Sequence, residues 1–340
     1  MSPRTTASLV GAALVLPLVL AACGTTDPGA SASPPAEAAS GDCADVTTET
    51  GPVSLTDSFG RTVELDQPAE RVAVLEWQQV EDTLTLCVNP VAVADVAGYT
   101  NWDSAEELPE GVVDVGTRGE PNLDALYATE PDLVIIEAYT AEDEIIASLE
   151  EYDVPVLATK GADVADPVAT MFDTFDLIAE ATGRTERAAA VTEEFEQHLA
   201  DAQAQVAELA PEQTDFVYFD GWIDGSNVSI RPFGQGSLVG ELGEELGLTN
   251  AWTGEVDPAY GLGQSDIEGM TDVGEATLLY TGTQDGDTDW IAELTNNDIW
   301  ANLPAVTEGR AHAFPAHIWT FGGPRSAEQI VDAYVDVLTN

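Results

Sequence analysis

PVATMFDTFDLIAEATGRTERAAAVTEEFEQHLADAQAQVAEL, residues 167–209, reads as one long helical run. Met171, Phe175, Ile178, Val191, Phe195, Leu199, Val206 and Leu209 recur at helical spacing, and Pro167 suits a first turn. Gly183 is the candidate break. On either side, short β-rich runs alternate with shorter helical patterns. Upstream, 53–55 and 62–65 flank Ser58-Phe59-Gly60-Arg61 as an opening hairpin, and 71–75, 91–94, 133–136 and 155–158 read as strands. Val80, Leu84 and Cys87 share one helix face, and 122–128 is a short helix. Downstream come a strand at 216–219, a helix near 237–246, a strand at 276–280 and a closing helix over 326–338. Strands separated by helices imply a mostly parallel sheet. The expected fold class is α/β, with two Rossmann-like lobes (51–163 and 211–340) joined by a single long helix within 164–210. Such lobes leave a ligand cleft between them.

The N-terminus sets the compartment. Arg4 precedes an apolar run over 9–20, too short to span a bilayer and proportioned like a signal-peptide core. It ends in Leu20-Ala21-Ala22-Cys23-Gly24, which resembles a bacterial lipobox. Residues 1–22 are then the signal peptide, and Cys23 carries the lipid that anchors the protein on the outer face of the cell membrane. An ordinary secretory signal with a chance cysteine is the alternative. Residues 23–50, rich in Ala, Ser, Pro and Thr, form a flexible tether. Export permits a disulfide between Cys43 and Cys87; a free Cys87 buried on a helix face is the alternative.

Composition excludes several functions. Asp and Glu total 62 against 10 Lys and Arg, a net charge of −52. Nucleic acid and anionic lipid surfaces are poor partners for such a chain. With 44% apolar residues it still has material for a large core. His198, His312 and His317 lack metal-site spacing, so no metal site built on histidines is expected. Gly234-Gln235-Gly236-Ser237 has no following Lys and is not a phosphate loop, and no Gly-x-Ser-x-Gly elbow occurs. Enzymatic chemistry has little support. What stands out is a set of aromatics in loops: Trp77, Trp102, Tyr139, Trp252, Tyr260, Trp319 and Phe321. Each alone could plug a core; together they suggest the walls of a recognition cleft. Arg118, among Gly116-Thr117 and Gly119-Glu120-Pro121, is placed to fork toward paired ligand oxygens or to pair with a nearby carboxylate.

Several segments then carry a resemblance. Val74-Leu75-Glu76-Trp77, Pro90-Val91-Ala92-Val93-Ala94-Asp95, Tyr99, Trp102 and Leu108-Pro109 are similar to the periplasmic ferric-hydroxamate-binding proteins of iron uptake. So is 114–123, DVGTRGEPNL, the most specific block. Asn250-Ala251-Trp252-Thr253-Gly254-Glu255, Trp300, Leu303-Pro304-Ala305-Val306 and Gly309-Arg310 continue the pattern, which spans roughly 53–338. The broader family comprises siderophore and vitamin-B12 binding proteins that feed ATP-driven importers, with two α/β lobes joined by one long helix.

The resemblance implies that Arg118 hydrogen-bonds iron-bound hydroxamate oxygens, Tyr139 adds a hydroxyl and Trp252 packs on the siderophore from the second lobe. It also assigns Trp77, Trp102, Tyr260, Trp319 and Phe321 to the pocket, with Arg231 and Arg325 as further candidates. Asp124 and Glu268, at the starts of short helices, match lobe-tip carboxylates that dock on permease arginines, although plain helix capping accounts for both as well. The siderophore supplies the ligands of Fe(III), so iron enters as cargo and no protein cofactor is implied. The expected protein is a monomer that hands ferric siderophores to a permease with its ATPase subunits. Rivals are the same fold holding ferric citrate, a catecholate siderophore, haem or cobalamin, and, more remotely, a secreted carboxylate-dependent hydrolase. Catecholate complexes of iron are triply anionic, and this chain is poor in cations to meet them.

Overall fold

The computed structural model describes residues 43–225, 227–282 and 290–339. The expected signal segment, Cys23 and most of the tether lie outside the described residues. The opening hairpin forms as expected from β1 (Val53–Thr56) and β2 (Thr62–Leu65), with Val53 opposite Leu65. Asp57 shapes its turn by accepting hydrogen bonds from the Phe59 and Arg61 backbone N–H groups at 3.0 and 2.9 Å.

The first lobe is built on β3 (Val72–Val74), β4 (Ala92–Val93), β5 (Val113–Asp114), β6 (Leu133–Glu137) and β7 (Val156–Thr159). All pair in parallel, in the order β5-β4-β3-β6-β7. The connections carry α1 (Trp77–Thr85), α2 (Val96–Trp102), α3 (Leu123–Tyr127) and α4 (Glu144–Leu149). The central strands are continuous apolar runs because both sheet faces are covered. Val72, Val74, Ile135 and Leu157 face one core, and Ala73, Val134, Ile136 and Ala158 face another with Leu126, Ile146 and Leu149 from α3 and α4. Cys43 and Cys87 form a disulfide that ties the start of the described chain to the end of α1. The free-cysteine alternative therefore falls away.

The run at 167–209 is two helices, α5 (Pro167–Thr182) and α6 (Thr185–Leu209). Gly183 adopts φ +66° and ends α5, with the Arg184 N–H returning to the Ala179 carbonyl at 2.7 Å. Each helix serves both lobes. α5 gives Met171 to the second-lobe core and Phe175 and Ile178 to the first; α6 gives Ala188 and Val191 to the first core and Phe195, Ala202 and Val206 to the second.

The second lobe holds β8 (Asp215–Asp224), β9 (Asn227–Phe233), β10 (Thr249–Asn250), β11 (Ser265–Asp266), β12 (Thr277–Tyr280) and β13 (Ala311–Ala313). The order is β11-β9-β8-β12-β13, with β10 also beside β8. This sheet is mixed: β8 runs on past the expected 216–219, and β9 pairs back on it antiparallel, as β11 does on β9. Sequence periodicity marked no strand over Asn227–Phe233. Helices α7 (Leu238–Glu245), α8 (Trp290–Thr295), α9 (Asp298–Ala301), α10 (Pro304–Thr307) and α11 (Pro324–Thr339) complete it, with a 3₁₀ turn over Gly269–Val273 where a short helix was expected.

The lobes are joined by more than the α5–α6 hairpin. Every residue of α1 is buried, polar ones included. Glu81 on α1 reaches the start of α11, where its carboxylate accepts from the Gly323 N–H (2.9 Å), the Ser326 N–H (2.9 Å) and the Ser326 hydroxyl (2.6 Å). Gly322 and Gly323 allow this approach: a Cβ on either would collide with the Glu81 or Asp82 carboxyl. Nearby, the Ser104 N–H and hydroxyl both donate to the His317 carbonyl, at 3.0 and 2.8 Å. Burial pushes the Glu81, Asp82 and Asp103 carboxyls up, and Asp82 finds no hydrogen-bond partner among the described residues.

Candidate binding site

In the first sheet the chain runs outward from β3 to β4 and β5, then returns to lay β6 on the other side of β3. Between β3 and β6 the order reverses, and ligands of open α/β sheets bind outside the carboxyl ends of strands at such a point. Glu76 and Trp77 follow β3, Arg118 lies in the loop after β5, and Glu137 ends β6 with Tyr139 two residues beyond. From the second lobe come Asp220 on β8, Arg231 on β9, Tyr260 from the loop after β10, and Trp319 and Phe321 from the segment before α11. With Trp102 at the end of α2 they line a cleft of about 460 Å³.

The local folding of each wall is legible. Glu76 is the N-cap of α1, accepting from the Trp77 N–H at 2.9 Å, which fixes Trp77 as the first helical residue. Its carboxylate also takes a hydrogen bond from Arg118 Nη1. The Arg118 guanidinium lies 3.8 Å from the Trp77 ring centroid and 5.6 Å from that of Trp319, a cation–π arrangement in which the arginine stays 34% exposed. Tyr260 is carried by a tight loop whose Asp257 carboxylate accepts from the Ala259, Tyr260 and Leu262 N–H groups at 2.8–2.9 Å. Its hydroxyl crosses between the lobes and donates to Glu137 Oε1. Gly161 leaves the space both groups occupy, since a Cβ there would strike the Glu137 carboxyl and the Tyr260 oxygen.

The aromatics form a chain of edge-to-face contacts across both lobes. Centroid distances are 6.3 Å for Trp102–Trp319, 4.8 Å for Trp77–Trp319, 5.1 Å for Trp319–Phe321, 5.5 Å for Phe321–Tyr260 and 6.4 Å for Tyr260–Tyr139. Tyr139 is 68% exposed, its ring held out at the rim. Charge is largely paired: Arg118 with Glu76, and Arg231 bidentate with Asp220, Nε to Oδ1 at 2.9 Å and Nη2 to Oδ2. Burial pushes the Asp220 carboxyl up against the pull of Arg231. Burial and the adjacent Glu76 charge push Glu137 up to about 7.

The cleft gathers Trp77, Trp102, Arg118, Tyr139, Arg231, Tyr260, Trp319 and Phe321, all anticipated from sequence. Two residues need correction. Trp252 is 9% exposed and does not line the cleft; its indole is enclosed by Gly234, Gly254 and Gly263, whose missing side chains make the slot it fills. Arg325 also lies outside the lining, on α11, where it pairs with Glu194 and Glu328. Sequence reasoning missed Glu76, Glu137 and Asp220 as cleft residues; their position at or near strand ends was the available signal. Asp124 is exposed in the first turn of α3, which Asn122 caps. Glu268 is exposed at the start of the 3₁₀ turn, but it is the Asp266 carboxylate that accepts from the Gly269 N–H. Among the described residues no group of three or more His, Cys, Asp or Glu is arranged to hold a metal ion, and no helix is long and apolar enough to cross a membrane. His198 lies beside Asp332 at 2.9 Å, and His317 Nδ1 contacts the Asn101 carbonyl at 2.6 Å.

Known proteins share this organisation. The chain is 28% identical over 269 residues to the iron(3+)-hydroxamate-binding protein FhuD of Escherichia coli, covering 77% of this chain and 84% of that protein. It is 27% identical over 276 residues to the Fe(3+)-citrate-binding protein YfmC of Bacillus subtilis, covering 80% and 81%. Its fold matches the crystal structure of the Fe3+–Desferal-bound siderophore-binding protein FhuD of Vibrio cholerae with a TM-score of 0.67 at 24% identity, covering 79% of this chain and 97% of that one. The model of the periplasmic binding protein family matches residues 72–316, and with the two-lobed α/β fold and its interlobe cleft this makes the chain a member of that family.

Proposed function

We propose that this protein is the lipid-anchored solute-binding component of an ATP-driven importer and that it captures ferric siderophores of the hydroxamate type. The observation that carries the proposal is Arg118, stacked on Trp77 in the middle of an aromatic cleft and still partly exposed. A guanidinium has five N–H donors in a planar fork, and the bond to Glu76 occupies one. The remainder suit chelating oxygens around a metal whose coordination is already complete, while the tryptophans pack on the chelator's apolar arms. The E. coli relative bears a hydroxamate name and the B. subtilis relative a citrate name, so the cleft chemistry has to choose. Citrate and catecholate complexes of iron are anionic and call for uncompensated cations. Here both arginines are already paired with carboxylates, which favours the neutral or cationic hydroxamate chelates.

On this reading Cys23 carries the lipid, and Asp124 and Glu268 are exposed lobe-tip carboxylates for the permease, with Asp266 beside the latter. Lobes pinned together as these are bind without a large closure, which saves ordering entropy. The test is a titration of the mature protein with Fe(III)–Desferal, ferrichrome, ferric citrate, a ferric tris-catecholate and cobalamin, read by tryptophan quenching. Saturable quenching by the hydroxamates is expected, and Arg118→Ala should weaken it about 10- to 100-fold, the loss of one charged hydrogen bond. Saturable binding of citrate, catecholate or cobalamin with none of hydroxamates would refute the proposal.

A further inference from the structure

The charges lining the cleft do not balance. Three carboxyls, Glu76, Glu137 and Asp220, face two guanidiniums, Arg118 and Arg231. Each arginine has its own carboxylate partner, and Glu137 has no ion pair among the described residues. Its hydrogen bonds come from neutral donors, the hydroxyls of Tyr260 and Tyr139. We infer that Glu137 is a specificity-determining residue that selects ferric chelates carrying a free ammonium group over otherwise identical neutral ones. This deepens the function proposed above and rests on it.

The geometry favours this role over a structural one. Glu137 ends β6 at the sheet reversal, two residues from the exposed Tyr139 and across from Tyr260. It caps no helix, whereas Glu76 caps α1 as well as pairing with Arg118. A carboxylate left over after all cleft cations are paired repels an anionic arm and attracts a cationic one. Part of the barrier to ionising it is the Glu76 charge beside it, so a ligand ammonium relieves both. The groups facing Glu137 are Glu76 and Arg118 from the β3 and β5 ends, Tyr139 on its own segment and Tyr260 from the second lobe. With its carboxyl pushed up to about 7, Glu137 carries its charge at pH 8 and loses it by pH 5.5.

The test compares Fe(III)–Desferal, whose three hydroxamates neutralise the iron and leave a terminal ammonium, with Fe(III)–N-acetyl-Desferal, which is neutral and otherwise the same. Affinities are measured by tryptophan quenching at pH 8 and pH 5.5 for the wild type and Glu137→Gln, an amide that still accepts from Tyr260. One unit charge in a partly buried cleft supports about tenfold discrimination. The wild type should prefer the ammonium chelate by about tenfold at pH 8 and fall toward parity at pH 5.5. Glu137→Gln should show parity between the two chelates at both pH values. Equal wild-type binding of the two chelates at pH 8, or a preference retained by Glu137→Gln, overturns the inference while leaving hydroxamate binding intact. Failure of both chelates to bind overturns the proposed function and the inference with it.

Discussion

Replacing Glu81 with alanine removes the carboxylate that ties α1 to α11. Three hydrogen bonds go with it, from the Gly323 N–H, the Ser326 N–H and the Ser326 hydroxyl, all in a buried setting. Hydrogen bonds to a charged acceptor contribute about 1.5–3 kcal/mol each, and the negative charge at the helix N-terminus adds up to ~1 kcal/mol. Relief of the desolvation of Glu81 itself offsets part of this sum, leaving a loss of about 3–5 kcal/mol. At ~2.1 cal/mol/K of unfolding entropy per residue over about 300 residues, that is a fall in Tm of about 5–8 °C. Urea titrations at pH 7.5, followed by tryptophan fluorescence and far-UV circular dichroism, measure it. Glu81→Gln retains one acceptor oxygen and should lose about 1–2 kcal/mol. A Glu81→Ala protein within about 1 kcal/mol of wild type would show that α11 starts as well without its cap, and the latch would be discarded.

Three further outcomes are expected. The Glu81, Asp82, Asp103 and Glu137 carboxyls are raised in the folded protein, so it binds protons more tightly than the unfolded chain. Their contribution is full below the ordinary carboxylate range and lost as pH rises through the folded values. For Glu137 that window runs from 4.5 to about 7, so thermal scans should give a higher Tm at pH 5.5 than at pH 8. Asp82→Asn should raise the Tm more at pH 8 than at pH 5.5, and a wild-type Tm that climbs from pH 5.5 to pH 8 would contradict the assignment. Reducing the Cys43–Cys87 disulfide, which spans 44 positions, should cost up to about 4 kcal/mol through the entropy of the unfolded chain, read as a drop in Tm on adding reductant. Trp252→Ala should destabilise by about 3–5 kcal/mol yet leave the affinity of the folded protein for a ferric hydroxamate within about threefold; a selective loss of affinity would return Trp252 to the site.

Local periodicity made the alternation of strands and helices readable, because a strand buried on both faces or a helix with one apolar stripe declares itself within a few residues. The runs at 133–136 and 155–158 and the helical run at 167–209 are of this kind. The break at Gly183 was visible as a glycine; that the two helices would each pack on both lobes was not. The aromatic and arginine members of the cleft were recognisable from residue type and from resemblance to known binding proteins. Which of them face the cleft depended on partners far away in the chain. Trp252 and Trp319 both sit in loops, but three glycines close around the first, while the second packs edge-to-face on Trp77 from the opposite lobe. Among 62 acidic residues no local pattern separates Glu137 from a solvated surface charge. Its role follows from standing at a sheet reversal in a cleft whose two arginines are already paired, and only the folded chain creates that juxtaposition.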